Sequence, residues 1–212
     1  MMNKIVDLYS GLGGWSEAFV QSQAWQVMRV ENNPLLSEVP HTCVYDVVKF
    51  RDELKLLILE GYAPEAPELI VASPPCVEFS NGWSSPKSTY RREEGTLDGY
   101  EPNLELLQAT IDIISMLQPR YWLIENVVGA TRYFNPILGE PTQIIGHYVL
   151  WGTFPYISFD VADLALKKNK DKRHHPLRQN IMAKIPLNLS TALLKSVTFQ
   201  KSILDYCSRH DC

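Results

Sequence analysis

The chain has 212 residues, 45% hydrophobic and 21% charged, which is the make-up of a globular protein with a full-sized core and excludes a fibrous or disordered chain. A net charge of −4 excludes binding to nucleic acid through bulk charge alone. The four cysteines, Cys43, Cys76, Cys207 and Cys212, form no CxxC pair and no ligand spacing with the histidines, so no metal is expected. No run of residues approaches a membrane span and no secretory leader is evident, so the expected compartment is a reducing cytoplasm, which keeps a thiol free.

Residues 4–9 read as a buried strand that runs into the glycine-rich turn Ser10-Gly11-Leu12-Gly13-Gly14. Helical spacing follows over 15–22. Residues 26–30 form a second predicted strand, which ends at Glu31-Asn32-Asn33-Pro34, and 42–45 a short third one, which ends at Asp46. A helix is predicted over 51–60, stopped by Gly61. Leu69-Ile70-Val71-Ala72 is apolar at every position, as in a parallel strand covered on both faces, and it ends at Ser73-Pro74-Pro75-Cys76.

Residues 81–102 are polar, with scattered Gly, Ser and Pro, and a connection of that length is usually functional or disordered. Asn103 reads as the N-cap of a helix over 104–117, with apolar residues at 104, 107, 111, 114 and 117. Strands are predicted over 121–124 and 148–151, and a capped helix over 187–197. Between 167 and 184, seven basic residues, Arg173 among them, stand against the single acid Asp171. The run is either a solvated loop or a strip that contacts phosphates without reading sequence. Alternating strands and helices predict an α/β fold, a mostly parallel sheet flanked by helices. The whole of 1–212 is expected to form one domain, with the motifs in 1–155 and the basic stretch and last helix in 156–212.

In such a sheet ligands sit at the carboxyl ends of the strands. Glycines at 11, 13 and 14 let the backbone approach a ligand and expose N–H groups. Glu31 at the second strand end suits a ribose diol, Asp46 can accept from an adenine amino group, and Tyr9 or Trp15 can stack on the purine. The set, with Asn32, Ser73 and Leu104 beside it, suits S-adenosylmethionine better than a dinucleotide, because the GxGxxG spacing is absent. The same glycines would equally serve a tight strand-to-helix turn with no ligand.

Three segments in this order, Asp7-Leu8-Tyr9-Ser10-Gly11-Leu12-Gly13-Gly14, Ser73-Pro74-Pro75-Cys76-Val77-Glu78-Phe79-Ser80 and Ile124-Glu125-Asn126-Val127, resemble the signature motifs of DNA cytosine-C5 methyltransferases. The resemblance covers roughly residues 3–155. It implies the Rossmann-like fold of S-adenosylmethionine-dependent methyltransferases and a transfer of methyl to C5 of a cytosine flipped out of double-stranded DNA. It makes Cys76 the nucleophile at C6 and Glu125 the partner of N3 and the exocyclic amine. Pro75, Ser80 and Asn126 are then expected near the substrate, with Pro74 and Pro75 stiffening the loop that aims the thiol. Arg91 and Arg92, with Lys87, would close over the DNA from the 81–102 segment, although Glu93, Glu94, Asp98 and Glu101 offset their charge. Without these neighbours Cys76 would read as a small buried hydrophobe and Glu125 as a solvated or capping carboxylate.

The chain departs from the family pattern in three places. Val77 stands where Gln is usual. The usual Gln-x-Arg-x-Arg segment is replaced by Gln143-Ile144-Ile145-Gly146-His147, in which Gln143 and His147 are expected to stand in. No Gly-Asn follows Trp151, and the separate recognition domain is expected to be missing or reduced to the basic stretch around Arg173. Two alternatives therefore stay open, the same chemistry on tRNA, and an incomplete or non-catalytic subunit that needs a recognition partner. The small size would fit a phage or mobile element in a bacterial cell.

Overall fold

The computed structural model describes residues 2–164 and 175–209, those after 199 by backbone alone. Seven strands form one sheet: β1 (Asn3–Leu8), β2 (Trp25–Glu31), β3 (Thr42–Val44), β4 (Leu69–Ala72), β5 (Tyr121–Val127), β6 (Gln143–Ile145) and β7 (Tyr148–Thr153). Their order is β3-β2-β1-β4-β5-β7-β6. The first five in that order are parallel, whereas β7 runs antiparallel to β5, and β6 antiparallel to β7. The mostly parallel α/β sheet expected from the sequence is thus present, with an antiparallel pair at one edge. The two-residue turn Gly146-His147 makes that pair, with Gly146 in the left-handed region at φ +61°.

β4 lies at the centre, and all four of its residues are fully buried, as its unbroken apolar sequence requires. Alternation along the strands feeds two cores, one on each face. Ile5, Leu69, Val71 and Leu123 pack with Trp15, Phe19, Leu189 and Leu193 on one side. Val6, Leu8, Ile70, Ala72 and Ile124 pack with Leu54, Leu107, Ile113, Phe134 and Trp151 on the other.

The helices are α1 (Glu17–Ser22), α2 (Val47–Leu59), α3 (Pro86–Glu94), α4 (Glu105–Leu117), α5 (Thr131–Leu138), α6 (Arg178–Ala183) and α7 (Leu187–Arg209). α2 begins at Val47 rather than at 51 because Asp46 caps it, its Oδ1 accepting the Lys49 N–H at 3.0 Å. Asn103 acts close to its expected place, its Oδ1 accepting the Glu105 N–H at 2.8 Å. The 81–102 segment is not structureless, since it holds α3. Ser85 caps that helix, Pro86 opens it and Gly95, at φ +73°, closes it. The helix is almost wholly polar, so no apolar stripe announced it. α7 runs to Arg209, past the expected 197.

Candidate active site

Register assembles the site. Ala72 pairs with both Leu8 and Ile124, and Leu8 with Val30, so the residues that follow these strands emerge side by side at one sheet edge. Ser73 therefore meets Glu125 and donates its hydroxyl to Oε2 at 2.7 Å. One residue on, Asn126 Nδ2 donates to the Pro74 carbonyl at 2.9 Å while its Oδ1 accepts the Val127 N–H. Asn126 is 1% exposed, and its side chain clips the loop that carries Cys76 to the end of β5.

Cys76 heads a tight turn whose carbonyl accepts from the N–H groups of Phe79 at 3.0 Å and Ser80 at 2.9 Å. The next carbonyls are clasped by side chains of the 81–102 segment. Tyr100 donates to the carbonyl and carboxylate of Glu78, Lys87 Nζ to the Phe79 carbonyl at 3.0 Å, and Ser85 Oγ to the Ser80 carbonyl at 2.8 Å. Lys87 is buried in doing so, and burial pulls its ammonium pKa down. Its expected reach toward a ligand is thereby used on the turn itself.

The Cys76 thiol is half-buried, and burial followed by the nearby Glu125 carboxylate pushes its pKa up. Burial likewise pushes the Glu125 carboxyl up to about 7, with the Ser73 hydrogen bond opposing. A carboxyl held near neutrality can deliver a proton, and a thiol beside it can become a nucleophile once deprotonated.

The glycine turn is shaped by its packing. Ser16 donates to the buried Asp7 carboxylate at 2.6 Å, and Arg29 Nε donates to Ser16 at 2.7 Å. Burial pushes Asp7 up to about 6 against the Ser16 bond and the Arg29 charge. Gly13 lies at φ +71°, and a Cβ there would stand 2.2 Å from the Arg29 Cζ. A Cβ on Gly14 would stand 2.6 Å from the Ile185 backbone nitrogen. These two positions thus serve the Arg29 anchor and the segment entering α7. Gly11 faces Asn180 of α6, whose Nδ2 would lie 3.6 Å from a Cβ, and its N–H donates to Glu31 Oε2 at 2.8 Å. Glu31 Oε1 accepts the Asn33 N–H, which holds the carboxylate at the end of β2 with Asn32 exposed beside it.

The Ser10 hydroxyl, in the same turn, is buried with no hydrogen-bond partner among the described residues. A bound carboxylate would satisfy that orphan, and the Glu31 carboxylate keeps lone pairs for a diol, so these residues fit an amino-acid nucleoside such as S-adenosylmethionine. No group of three His, Cys, Asp or Glu among the described residues could hold a metal ion.

The sequence pattern of C-5 cytosine-specific DNA methylases matches residues 3–135. The chain belongs to this family. Among named relatives, the Type II methyltransferase M.HgiGI of Herpetosiphon aurantiacus is 29% identical over 130 residues, 58% of this chain and 90% of that protein. M.HgiDI, a Type II methyltransferase of the same organism, is 29% identical over 132 residues, again 58% of this chain but 37% of that protein. Similar solved structures include the Entamoeba histolytica methyltransferase EhMeth, 15% identical with a TM-score of 0.44 over 76% of this chain and 55% of that one. A SAM-dependent methyltransferase from Agrobacterium tumefaciens is 14% identical with a TM-score of 0.36 over 60% and 39%.

Several residues of this chain sit differently from their expected roles. The Trp15 ring is 2% exposed within the core and offers no face to a purine, and its Nε1 donates to Ser73 Oγ at 3.0 Å. Ser73 accordingly faces Glu125 rather than the glycine turn. Tyr9, at φ +58°, tucks against α4, its hydroxyl donating to the Leu106 carbonyl at 2.8 Å near the half-buried Leu104. Asp46 spends one oxygen on its helix cap.

Gln143 is held by its neighbour in space. Its side-chain amide is spent on that neighbour, because Nε2 donates to the Ile157 carbonyl and Oε1 accepts the Ile157 N–H, at 2.8 and 3.0 Å. His147 is exposed at the hairpin tip, its ring 4.0 Å from that of Tyr148. Arg92 lies over the Trp83 ring at 4.1 Å and donates to the Trp83 carbonyl, while Arg91 is exposed on α3. Pro75 is exposed and Ser80 half-buried in the Cys76 turn. Arg173 and most of the basic stretch lie outside the described residues. Sequence reasoning passed over Ser10, whose polar side chain in a glycine turn was the available signal, and Asn180, which only tertiary packing brings near Gly11.

Proposed function

We propose that this chain transfers a methyl group from S-adenosylmethionine to C5 of a cytosine in DNA, with Cys76 as nucleophile and Glu125 as acid. The observation that carries the reading is the meeting of the Cys76 turn and Glu125 at the carboxyl ends of β4 and β5, with the Glu125 proton held near neutral pH. Cys76 gives its proton to solvent and the thiolate adds to C6 of a flipped cytosine. Glu125 delivers its proton to N3, which leaves C5 with the electron density of an enamine. S-adenosylmethionine, when bound, supplies an electrophilic methyl group. A water then takes the C5 proton, the Cys76 thiolate leaves as the C5–C6 double bond re-forms, and N3 returns its proton to Glu125. Ser10, Glu31 and Asp46 are the residues that would hold the cofactor.

The test is methyl transfer from labelled S-adenosylmethionine to unmethylated double-stranded DNA, run beside Cys76→Ser and with a tRNA pool as competing substrate. The expected result is label in DNA as 5-methylcytosine, lost in the variant. Label in tRNA instead would reassign the substrate. Cofactor binding without transfer to either would make the chain an incomplete enzyme that needs a recognition partner.

A further inference from the structure

We propose that Trp15 and Ser73 form a one-way hydrogen-bond relay that confines the Glu125 proton to Oε1, the oxygen Ser73 does not hold. The proposal rests on the methyl-transfer reading, in which Glu125 must present a proton to the base.

The direction of the relay follows from donor chemistry. An indole nitrogen donates only, so in the 3.0 Å contact between Trp15 Nε1 and Ser73 Oγ the serine is the acceptor. The serine hydroxyl has a single proton, and its one acceptor among the described residues is Glu125 Oε2, at 2.7 Å. A proton on Oε2 would force the Ser73 proton away from the one acceptor it has among the described residues. When Glu125 is protonated, its proton therefore belongs on Oε1. The origin of the relay is rigid, because the Trp15 ring is packed into the core with Phe19 and Ile185. Ser73 is itself fixed, since its N–H donates to the Leu8 carbonyl. Trp15 and Ser73 act through Glu125 and are positioning residues.

The same hydrogen bond favours the carboxylate and opposes the effect of burial on Glu125. The titratable groups that face Glu125 are Cys76, from the turn after β4, and Tyr148, from β7, and its charge raises the pKa of both. Neither is altered by a change at Ser73.

The experiment follows the Glu125 carboxyl by carbon-13 NMR in the full chain without substrate, assigned with Glu125→Gln, and measures methyl transfer in parallel. Ser73→Ala is expected to raise the Glu125 pKa by about one unit and to lower kcat about tenfold or more, with KM for DNA little changed. Ser73→Thr keeps the hydroxyl and is expected to restore both. Trp15→Phe removes the indole donor while keeping an aromatic ring in the core, so it is expected to lower kcat several-fold at an unchanged Glu125 pKa. It carries the test if Ser73→Ala does not fold. An unshifted titration in Ser73→Ala, or wild-type kcat in both Ser73→Ala and Trp15→Phe, would overturn the relay. A wild type that methylates no cytosine while Ser73→Ala still shifts the titration would overturn the proposed function and leave the relay standing.

Discussion

Glu125 and Cys76 titrate in an order that sets the pH behaviour. In the proposed reaction the productive pairing is protonated Glu125 with Cys76 thiolate, yet the carboxyl, near 7, loses its proton before the thiol, which burial and Glu125 hold above its ordinary value. The product of the two fractions climbs with pH to about 7, stays level while thiolate formation offsets loss of the acid, and falls above the thiol's own pKa. We expect kcat/KM to follow that flat-topped profile, and Glu125→Gln to lose the break near 7 along with about a hundredfold or more of the rate. Stability carries a related signature. A carboxyl whose folded pKa is raised stabilises the fold below its unfolded value and loses that contribution as pH rises through the folded value. For Glu125 and Asp7 this places the loss between about 4 and 7. Glu125→Gln should therefore raise the melting temperature by several degrees at pH 8 and much less at pH 5, which thermal denaturation at the two pH values would check.

At the scale of elements, the carbonyls of the Cys76 turn and of Pro74 before it are held by donors from β5 and from the 81–102 segment, including α3. Asn126 is the most buried of these donors. Asn126→Ala leaves the Pro74 carbonyl unsatisfied and frees the loop from β5, so we expect a loss of about 1–3 kcal/mol in stability and roughly a hundredfold in kcat. Activity and thermal melting measured on one preparation would separate the effects, and an active but destabilised variant would show that the clip serves the fold alone. The role of the 81–102 segment was not legible beforehand. Its polar composition predicted a long functional or disordered connection, and the family resemblance a loop closing over DNA, whereas Ser85 and Lys87 turn inward to cap α3 and to bind the turn. Capping and carbonyl clasping leave no hydrophobic periodicity to read.

At the scale of the molecule, the segment from α6 into α7 closes the face of the sheet that carries the glycine turn. Ser190 donates to the Trp15 carbonyl at 2.6 Å and accepts the Ala18 N–H at 3.1 Å, and Lys184 pairs with Glu17 at 2.6 Å. Leu189, Leu193 and Val197 are buried against Trp15 and Phe19. At about 1.5–3 kcal/mol for each buried aliphatic side chain, these three alone rival the whole stability of an ordinary domain. Ending the chain at residue 186 should therefore abolish cooperative thermal unfolding, as followed by circular dichroism, although the stretch matched by the family pattern ends at residue 135.

The sequence by itself determined six of the seven strands, all but β6, the apolar run of β4 and the identity of the residue types that meet at its end, because alternation, glycine turns and strand-end motifs are local signals. Register then decided the rest. It set Ser73 against Glu125 and Asn126 against Pro74, turned Trp15 from a stacking surface into the start of a hydrogen-bond chain, and spent Gln143 on the Ile157 backbone. Those outcomes depend on which atoms two distant segments bring within about 3 Å of one another, the length of a hydrogen bond, and no local pattern encodes that.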